Sequence, residues 1–276
     1  MLRRFRQVDV FGAEPYLGNP VAVVLDADGM TTDEMQRFAQ WTNLSETTFV
    51  LTPRESGADY RVRIFTTSEE LPFAGHPTLG TCHAWVNALT EGERPATVVQ
   101  ECDAGLVQIR PIPVGLAFAA PPLLRYESVD DSLVERLSSA LGIARGDVVD
   151  AHWVDNGPGW VALLLADADA VLAVRPTTLD LPVGVVGPYP DGSPCAVEVR
   201  GFFPMGEILV EDPVTGSLNA SLAQWLLDTD RLAAPYVAGQ GTAIAREGRV
   251  HIDRDDAGVI WVGGATVTCV TGEADL

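Results

Sequence analysis

The sequence predicts an α+β fold of two pseudo-symmetric halves, each a barrel-like, mostly antiparallel sheet around a central helix. Three observations carry this. One strand–turn–helix pattern occurs twice: Val62-Arg63-Ile64-Phe65, Glu70-Leu71 and Ala74-Gly75-His76-Pro77-Thr78-Leu79 are answered by Val199-Arg200-Gly201-Phe202, Glu207-Ile208 and Glu211-Asp212-Pro213-Val214-Thr215-Gly216-Ser217-Leu218. Each half also holds many short β-type runs. Finally, each half has one long apolar helix, which a curled sheet would bury on most sides. In this matching His76 and Asp212 are equivalent, so both are expected at helix starts, approaching one ligand from opposite sides.

Taken in order, Phe5–Asp9 alternates as a strand, and the turn Gly18-Asn19-Pro20 leads into a strand over Val21–Leu25. Thr31-x-x-Glu34 is a capping box opening a helix with Met35, Phe38, Ala39 and Thr42 on one face. Thr47–Leu51 and Tyr60–Phe65 are the next strands. Pro77 stands in the first turn of a helix whose stripe is Cys82, Trp85, Val86 and Leu89. Short strands are expected over 97–101, 106–110 and 116–119, before a linker at Ala120-Pro121-Pro122.

Beyond the linker, Ser132–Leu141 reads as a helix with Gly142 as its C-cap. Strands resume near Trp153, over Val161–Leu165, Val197–Phe202 and Glu207–Val210. The second long helix is Ser217–Leu227. A hairpin follows around Asp255-Asp256-Ala257-Gly258, and a last strand spans Thr266–Thr271. The halves are therefore expected at 1–119, completed by a C-terminal strand at 266–276, and at 120–276. Asn43–Val50 finds a faint counterpart in Asn156–Val161, in which Glu46 meets a glycine.

Composition narrows the function. The 276 residues suit one large domain or two of about 130 each. With 18 basic against 38 acidic side chains, the net charge of −20 argues against a nucleic-acid partner and against anionic membrane surfaces. An anionic substrate then needs local donors such as helix N-termini. No apolar run approaches the ~20 residues of a membrane span, and the start lacks a signal peptide's apolar core, so a cytoplasmic location is expected. Cys82, Cys102, Cys195 and Cys269 are far apart with no CxxC, and His83, His152 and His251 show no metal spacing. No metal site or disulfide is expected, and the thiols read as buried and free.

Three side chains suit proton chemistry. His76 lies at a helix start, where the macrodipole disfavours the imidazolium, so a neutral ring could exchange a proton; its plainer role is to cap or pack under the loop. Asp212 precedes Pro213 as a second acid beside Glu211, or as an N-cap. Glu46, at the mouth of an apolar strand, suits proton transfer if its pKa is raised, or is an exposed turn residue. Gly75 and Gly216-Ser217 leave helix-start N–H groups open to a carboxylate.

Gly18-Asn19-Pro20, Asn43-Leu44-Ser45-Glu46-Thr47, Glu70 through Gly80, Asp212-Pro213-x-Thr215-Gly216-Ser217, Gly239-Gln240-Gly241 and Val262-Gly263-Gly264 together closely resemble the PhzF-like phenazine-biosynthesis family. The resemblance runs nearly end to end. It implies the diaminopimelate-epimerase-like fold, a homodimer and no cofactor. It also implies that Glu46 is the acid/base of an isomerase acting on a dihydro-hydroxyanthranilate-like substrate, with His76 and Asp212 in supporting roles. Asn19, Ser45, Gly75, Thr78, Thr215, Gly216 and Ser217 are the expected substrate-binding positions. Related epimerases carry a cysteine at each helix start; here the cysteines lie elsewhere, which excludes a two-thiol racemase. Leu218 and Thr66-Thr67-Ser68 depart from the family pattern and bear on substrate identity. The expected activity is a cofactor-independent isomerase moving a proton between carbons of a small carboxylate. The alternatives are a lyase or epimerase at an α-carbon, with Glu46 and Asp212 as opposed acid and base, and a non-catalytic ligand- or partner-binding protein of the same fold.

Overall fold

The computed structural model describes residues 1–206 and 208–276. Glu207, expected to begin a strand, lies outside the described residues. The chain divides into two compact units, Met1–Ala119 with Gly263–Leu276, and Ala120–Val262.

In the first unit, β1 (Leu2–Val10), β2 (Asn19–Val24), α1 (Thr32–Thr42), β3 (Glu46–Leu51), β4 (Tyr60–Phe65), β5 (Glu70–Leu71), α2 (Gly75–Val86), β6 (Val98–Cys102), β7 (Gly105–Ile112) and β8 (Gly115–Ala119) follow in order. β1 lies antiparallel to β2, which runs parallel to β3 with α1 as the crossover between them. β3 is antiparallel to β4, and β4 carries the short β5 at one end and the parallel β6 at the other. β6, β7 and β8 form a meander. The C-terminal strand Thr266–Asp275 pairs with β1 over nine residue pairs, from Leu2↔Asp275 to Val10↔Thr266. Residues from Gly263 onward thus belong to the first unit, giving β1 a partner on its second edge. α2 is buried along Gly75–Cys82 and at Ala84, as befits a helix enclosed by its sheet. Its approach to the sheet demands Gly80, where a Cβ would lie 2.3 Å from Val21 Cγ1.

The second unit contains β9 (Arg125–Ser128), α3 (Asp131–Leu141), β10 (Val148–Asp155), β11 (Val161–Leu165), α4 (Ala168–Ala173), β12 (Val183–Pro188), β13 (Val197–Met205), β14 (Ile208–Asp212), α5 (Gly216–Asp228), β15 (Tyr236–Gln240) and β16 (Gly248–Arg254). The pairing plan repeats. β10 is antiparallel to β11, β11 is parallel to β12 across α4, β12 is antiparallel to β13, and β13 carries β14 and the parallel β15. The expected hairpin turn closes through Gly258 N–H to Asp255 O at 2.8 Å. The sequence reading omits β9, α4, β12 and β15. β12 contains Gly184 and Gly187; a Cβ at Gly184 would lie 2.5 Å from Leu218 Cδ1 of α5 and one at Gly187 2.3 Å from Asp167 O. These glycines mark close approach, not a turn.

Strand register corrects the internal matching. Phe65 pairs with Glu70 and Phe202 with Glu211, so Glu211, not Glu207, is the counterpart of Glu70. Gly75 and Gly216 each follow that glutamate by five residues and open their helices. His76 therefore corresponds to Ser217, and Asp212 to Leu71. Likewise Thr47 pairs with Phe65 as Val183 pairs with Phe202, so β12 is the counterpart of β3 and Pro182 stands in the place of Glu46. The segment 156–161 instead matches the turn entering β2, since Val161 pairs with Val183 as Ala22 pairs with Thr47.

Among the described residues, no helix is long and apolar enough to cross a membrane.

Candidate active site

Glu46 is placed by the end of α1. Asn43 caps that helix in the left-handed conformation, φ 57°, which asparagine tolerates, and its N–H donates to Ala39 O at 3.3 Å. Three residues later the chain enters β3, with Thr42 Oγ1 and Thr47 Oγ1 hydrogen-bonded at 2.9 Å across the turn. Ser45 is exposed and Thr47–Val50 are buried, so Glu46 sits at the rim of the core with its side chain 16% exposed.

His76 is the second residue of α2 and is buried. Its Nε2 lies 3.2 Å from Glu46 Oε2, and its Nδ1 lies 3.3 Å from Nδ2 of the fully buried Asn19, which opens β2. Burial pushes the imidazole pKa down from 6.5 to about 3, so the ring is neutral at pH 7. A neutral ring against a carboxyl group can hold, orient or exchange a proton with it.

The start of α2 has no side-chain cap on Ala74 and no acid in its first turn. α5 is the same at its N-cap, Thr215. By contrast, α1, α3 and α4 are capped by Thr31, Asp130 and Asp167. The two central helices thus keep first-turn N–H groups free of side-chain caps, the arrangement that accepts an anion. Gly75 is buried at this start. Thr78 is also buried, and its hydroxyl accepts from Gln100 Nε2 at 2.9 Å while Gln100 Oε1 accepts from Tyr60 Oη at 2.9 Å, so its hydroxyl belongs to a core network.

In the second unit Asp212 is buried at the end of β14, and its Oδ2 accepts from Thr215 Oγ1 at 2.7 Å. Thr215 is the N-cap by position, but its hydroxyl serves Asp212 instead of the helix. Gln240 anchors the group: its Oε1 accepts from Thr215 N at 3.0 Å and Asn219 Nδ2 at 2.8 Å, and its Nε2 donates to Thr215 Oγ1 at 2.9 Å. The sequence reading did not single out Gln240 as a site residue; its position between Gly239 and Gly241 was the available signal. Ser217 follows Gly216, with Oγ accepting from Trp160 Nε1 at 3.2 Å.

The structure brings Asn19, His76 and Glu46 together in one unit and Asp212, Thr215, Gly216 and Ser217 together in the other. All four cysteines are free thiols, three of them buried. Among the described residues, no cluster of three or more His, Cys, Asp or Glu side chains is arranged to hold a metal ion.

The sequence profile of the PhzC-PhzF family, described as phenazine biosynthesis-like protein, matches residues 8–272. The chain is 34% identical to trans-2,3-dihydro-3-hydroxyanthranilate isomerase of Pseudomonas aeruginosa, over 93% of this chain and 92% of that one. It is 32% identical to Antisense-enhancing sequence 1 of Schizosaccharomyces pombe, over 98% of each chain. In fold it resembles the PhzF family phenazine biosynthesis protein of Bacillus anthracis, with a TM-score of 0.82 over 100% of both chains at 24% identity.

Proposed function

The chain belongs to the phenazine biosynthesis-like family, and from that premise we propose that it is an isomerase moving a proton between carbons of a small carboxylate on side chains alone. The observation that carries this reading is the 3.2 Å contact between Glu46 Oε2 and the Nε2 of a buried, neutral His76. In the proposed reaction the Glu46 carboxylate removes a proton from one substrate carbon, the electron pair left behind delocalises, and protonated Glu46 returns the proton to another carbon. His76 holds the carboxyl group in line and tunes it. The helix starts without side-chain caps hold the substrate carboxylate. Asp212 is assigned a supporting role. Ser45 and Ser217, together with Gly75, Gly216 and Thr215 at the helix starts, are proposed to contact the substrate. By the name of the Pseudomonas relative, trans-2,3-dihydro-3-hydroxyanthranilate is the first substrate to assay. Homodimeric assembly is proposed on the family resemblance and is read by sedimentation.

Glu46→Gln keeps the side-chain shape and removes the base. Its kcat is expected to fall by about 10²–10⁴-fold with substrate binding retained. Full turnover by this variant ends the proposal. Dialysis against a chelator is expected to leave the wild-type rate unchanged, and a loss restored by added metal would overturn the side-chains-alone chemistry. Turnover in D₂O separates the alternatives: an α-carbon epimerase returns deuterated substrate, whereas a committed shift between carbons leaves recovered substrate undeuterated.

A further inference from the structure

A side-chain amide has a direction, because its oxygen only accepts and its nitrogen only donates. At Gln240, the last residue of β15, two backbone groups fix that direction. The N–H of Thr215 donates to Oε1 at 3.0 Å, and the carbonyl of Asp212 accepts from Nε2 at 3.2 Å. With the amide so oriented, its second N–H donates to Thr215 Oγ1 at 2.9 Å. The Thr215 hydroxyl therefore spends a lone pair on Gln240 and turns its own proton to Asp212 Oδ2, 2.7 Å away. The donors run one way, from Gln240 through Thr215 to Asp212.

We propose that Gln240 is a positioning residue which, through Thr215, holds Asp212 with Oδ2 as an acceptor, so that any proton Asp212 carries is on Oδ1. The surroundings leave this chain little freedom. Gln240 is fully buried, and Asp212 and Thr215 are buried beside it. Asn219 of α5 donates to the same Oε1 at 2.8 Å and to the Thr215 carbonyl at 2.9 Å, tying the amide to the helix. Residues 212–215 are also pressed onto glycine. A Cβ on Gly201 would lie 3.0 Å from Thr215 Oγ1, and one on Gly241, whose φ is 93°, would lie 2.6 Å from Pro213 O. The first unit shows what such a glutamine does without an acid to direct. Gln100 is fully buried on β6, which lies parallel to β4 as β15 does to β13. It reaches Thr78, the fourth residue of α2, as Gln240 reaches Asn219, the fourth of α5. Its remaining bond goes to Tyr60 in the core, whereas Gln240 turns its Nε2 to Thr215 and Asp212. The arrangement fixes which oxygen of Asp212 is free to change its protonation in the supporting role given above, and its kinetic consequence rests on that isomerase reading.

The first test needs no turnover. Side-chain carboxyl ¹³C signals are followed against pH, with Asp212 assigned by the signal lost in Asp212→Asn. A donor to the ionised form favours that form. Thr215→Val removes the donor outright and Gln240→Met unlocks it, so Asp212 is expected to titrate at higher pH in both, by more in the first. Gln100→Met, a buried glutamine lost at the matching place in the other unit, should leave the Asp212 titration where it is. Kinetically, Gln240→Met should lower kcat by about 10–100-fold, the scale of a misplaced catalytic group. Thr215→Val should do the same, and Thr215→Ser, which keeps the hydroxyl, should retain most of the rate. In an Asp212→Asn background Gln240→Met should cost nothing further in kcat. An unmoved Asp212 titration in Thr215→Val and Gln240→Met, an equal shift in Gln100→Met, or a full additional loss in Asp212→Asn would overturn the proposal. If Gln240→Met does not fold, Thr215→Val decides by the same readouts. If the chain does not turn over the assayed substrate, the isomerase reading fails while the titration still decides whether Gln240 and Thr215 direct Asp212.

Discussion

The starts of α2 and α5 share a framework and differ in what they present. In each unit a buried or half-buried arginine, on β4 in one and β13 in the other, grips a glutamate through both of its oxygens. Arg63 Nε and Nη2 are each 2.6 Å from Glu70, and Arg200 Nε and Nη2 are 2.9 and 2.7 Å from Glu211. The glutamate pairs across to a phenylalanine, and five residues later a glycine opens the helix. The next residue is His76 in one unit and Ser217 in the other. The clamp sets the backbone, which is why it is kept in both copies. Chemistry enters at single positions that the backbone does not constrain, so the two units can diverge there without losing their fold.

The clamps themselves are unequal, and the largest expected effect follows from that. The side chains of Arg200 and Glu211 are 5% and 13% exposed, against 15% and 24% for Arg63 and Glu70. Arg200 also donates to the carbonyls of Val171 at 3.1 Å and Val174 at 2.8 Å. Arg200→Met strands a mostly buried carboxylate and two carbonyls, and should cost about 3–5 kcal/mol in urea unfolding. Arg63→Met leaves Glu70 nearer to solvent and should cost about 1.5–3 kcal/mol. Equal costs would mean that the framework is not graded in this way.

The same comparison shows what was legible in the sequence. The capping box Thr31–Glu34 was readable because its partners are three residues apart, and it is present with both hydrogen bonds. The repeat was readable from Val-Arg-x-Phe. Its register was not. Local identity equated His-Pro with Asp-Pro and Glu70 with Glu207, whereas cross-strand pairing equates His76 with Ser217 and Glu70 with Glu211. Pairing across a sheet is a long-range choice that no single segment encodes. β12 was missed because its glycines answer to Leu218 and Asp167, which are distant in sequence. The contact of His76 with Glu46 joins residues thirty positions apart, and only the parallel pairing of β2 with β3 and the packing of α2 bring it about.

The divergence at the second helical residue is expected to appear in kinetics as two different defects. His76→Gln removes the group against Glu46 and should lower kcat by about 10–100-fold, a loss of roughly 1.4–2.7 kcal/mol in transition-state stabilisation. Ser217→Ala removes a hydroxyl in the unit without a Glu46 counterpart and should raise KM while leaving kcat nearly unchanged. Steady-state kinetics of the two variants on one substrate make the comparison. If Ser217→Ala lowers kcat as much as His76→Gln does, the two helix starts share the chemistry and the asymmetry argued above is lost.

The smallest effect isolates His76 from turnover altogether. Burial lowers its folded-state pKa to about 3 from an ordinary value of 6.5. Between those values the unfolded chain binds a proton on this residue that the folded chain does not, so acid favours the unfolded state. Stability contributed by the neutral ring is full above pH 6.5 and falls as the pH drops, by at most about 1.4 kcal/mol per pH unit. Most carboxylates titrate below pH 4.5, which leaves pH 4.5–6.5 as the window for histidine. His83 and His251, whose pKa values burial also lowers, add slopes of the same sign there. His76→Gln should therefore flatten the slope of unfolding free energy against pH in this window without abolishing it, whatever the variant does to stability at pH 7. Ser217→Ala should leave the slope unchanged. An unaltered slope in His76→Gln would show that the ring is protonated together with Glu46 as an ion pair in the folded state, and the neutral-imidazole chemistry assigned to the α2 start would fall with it.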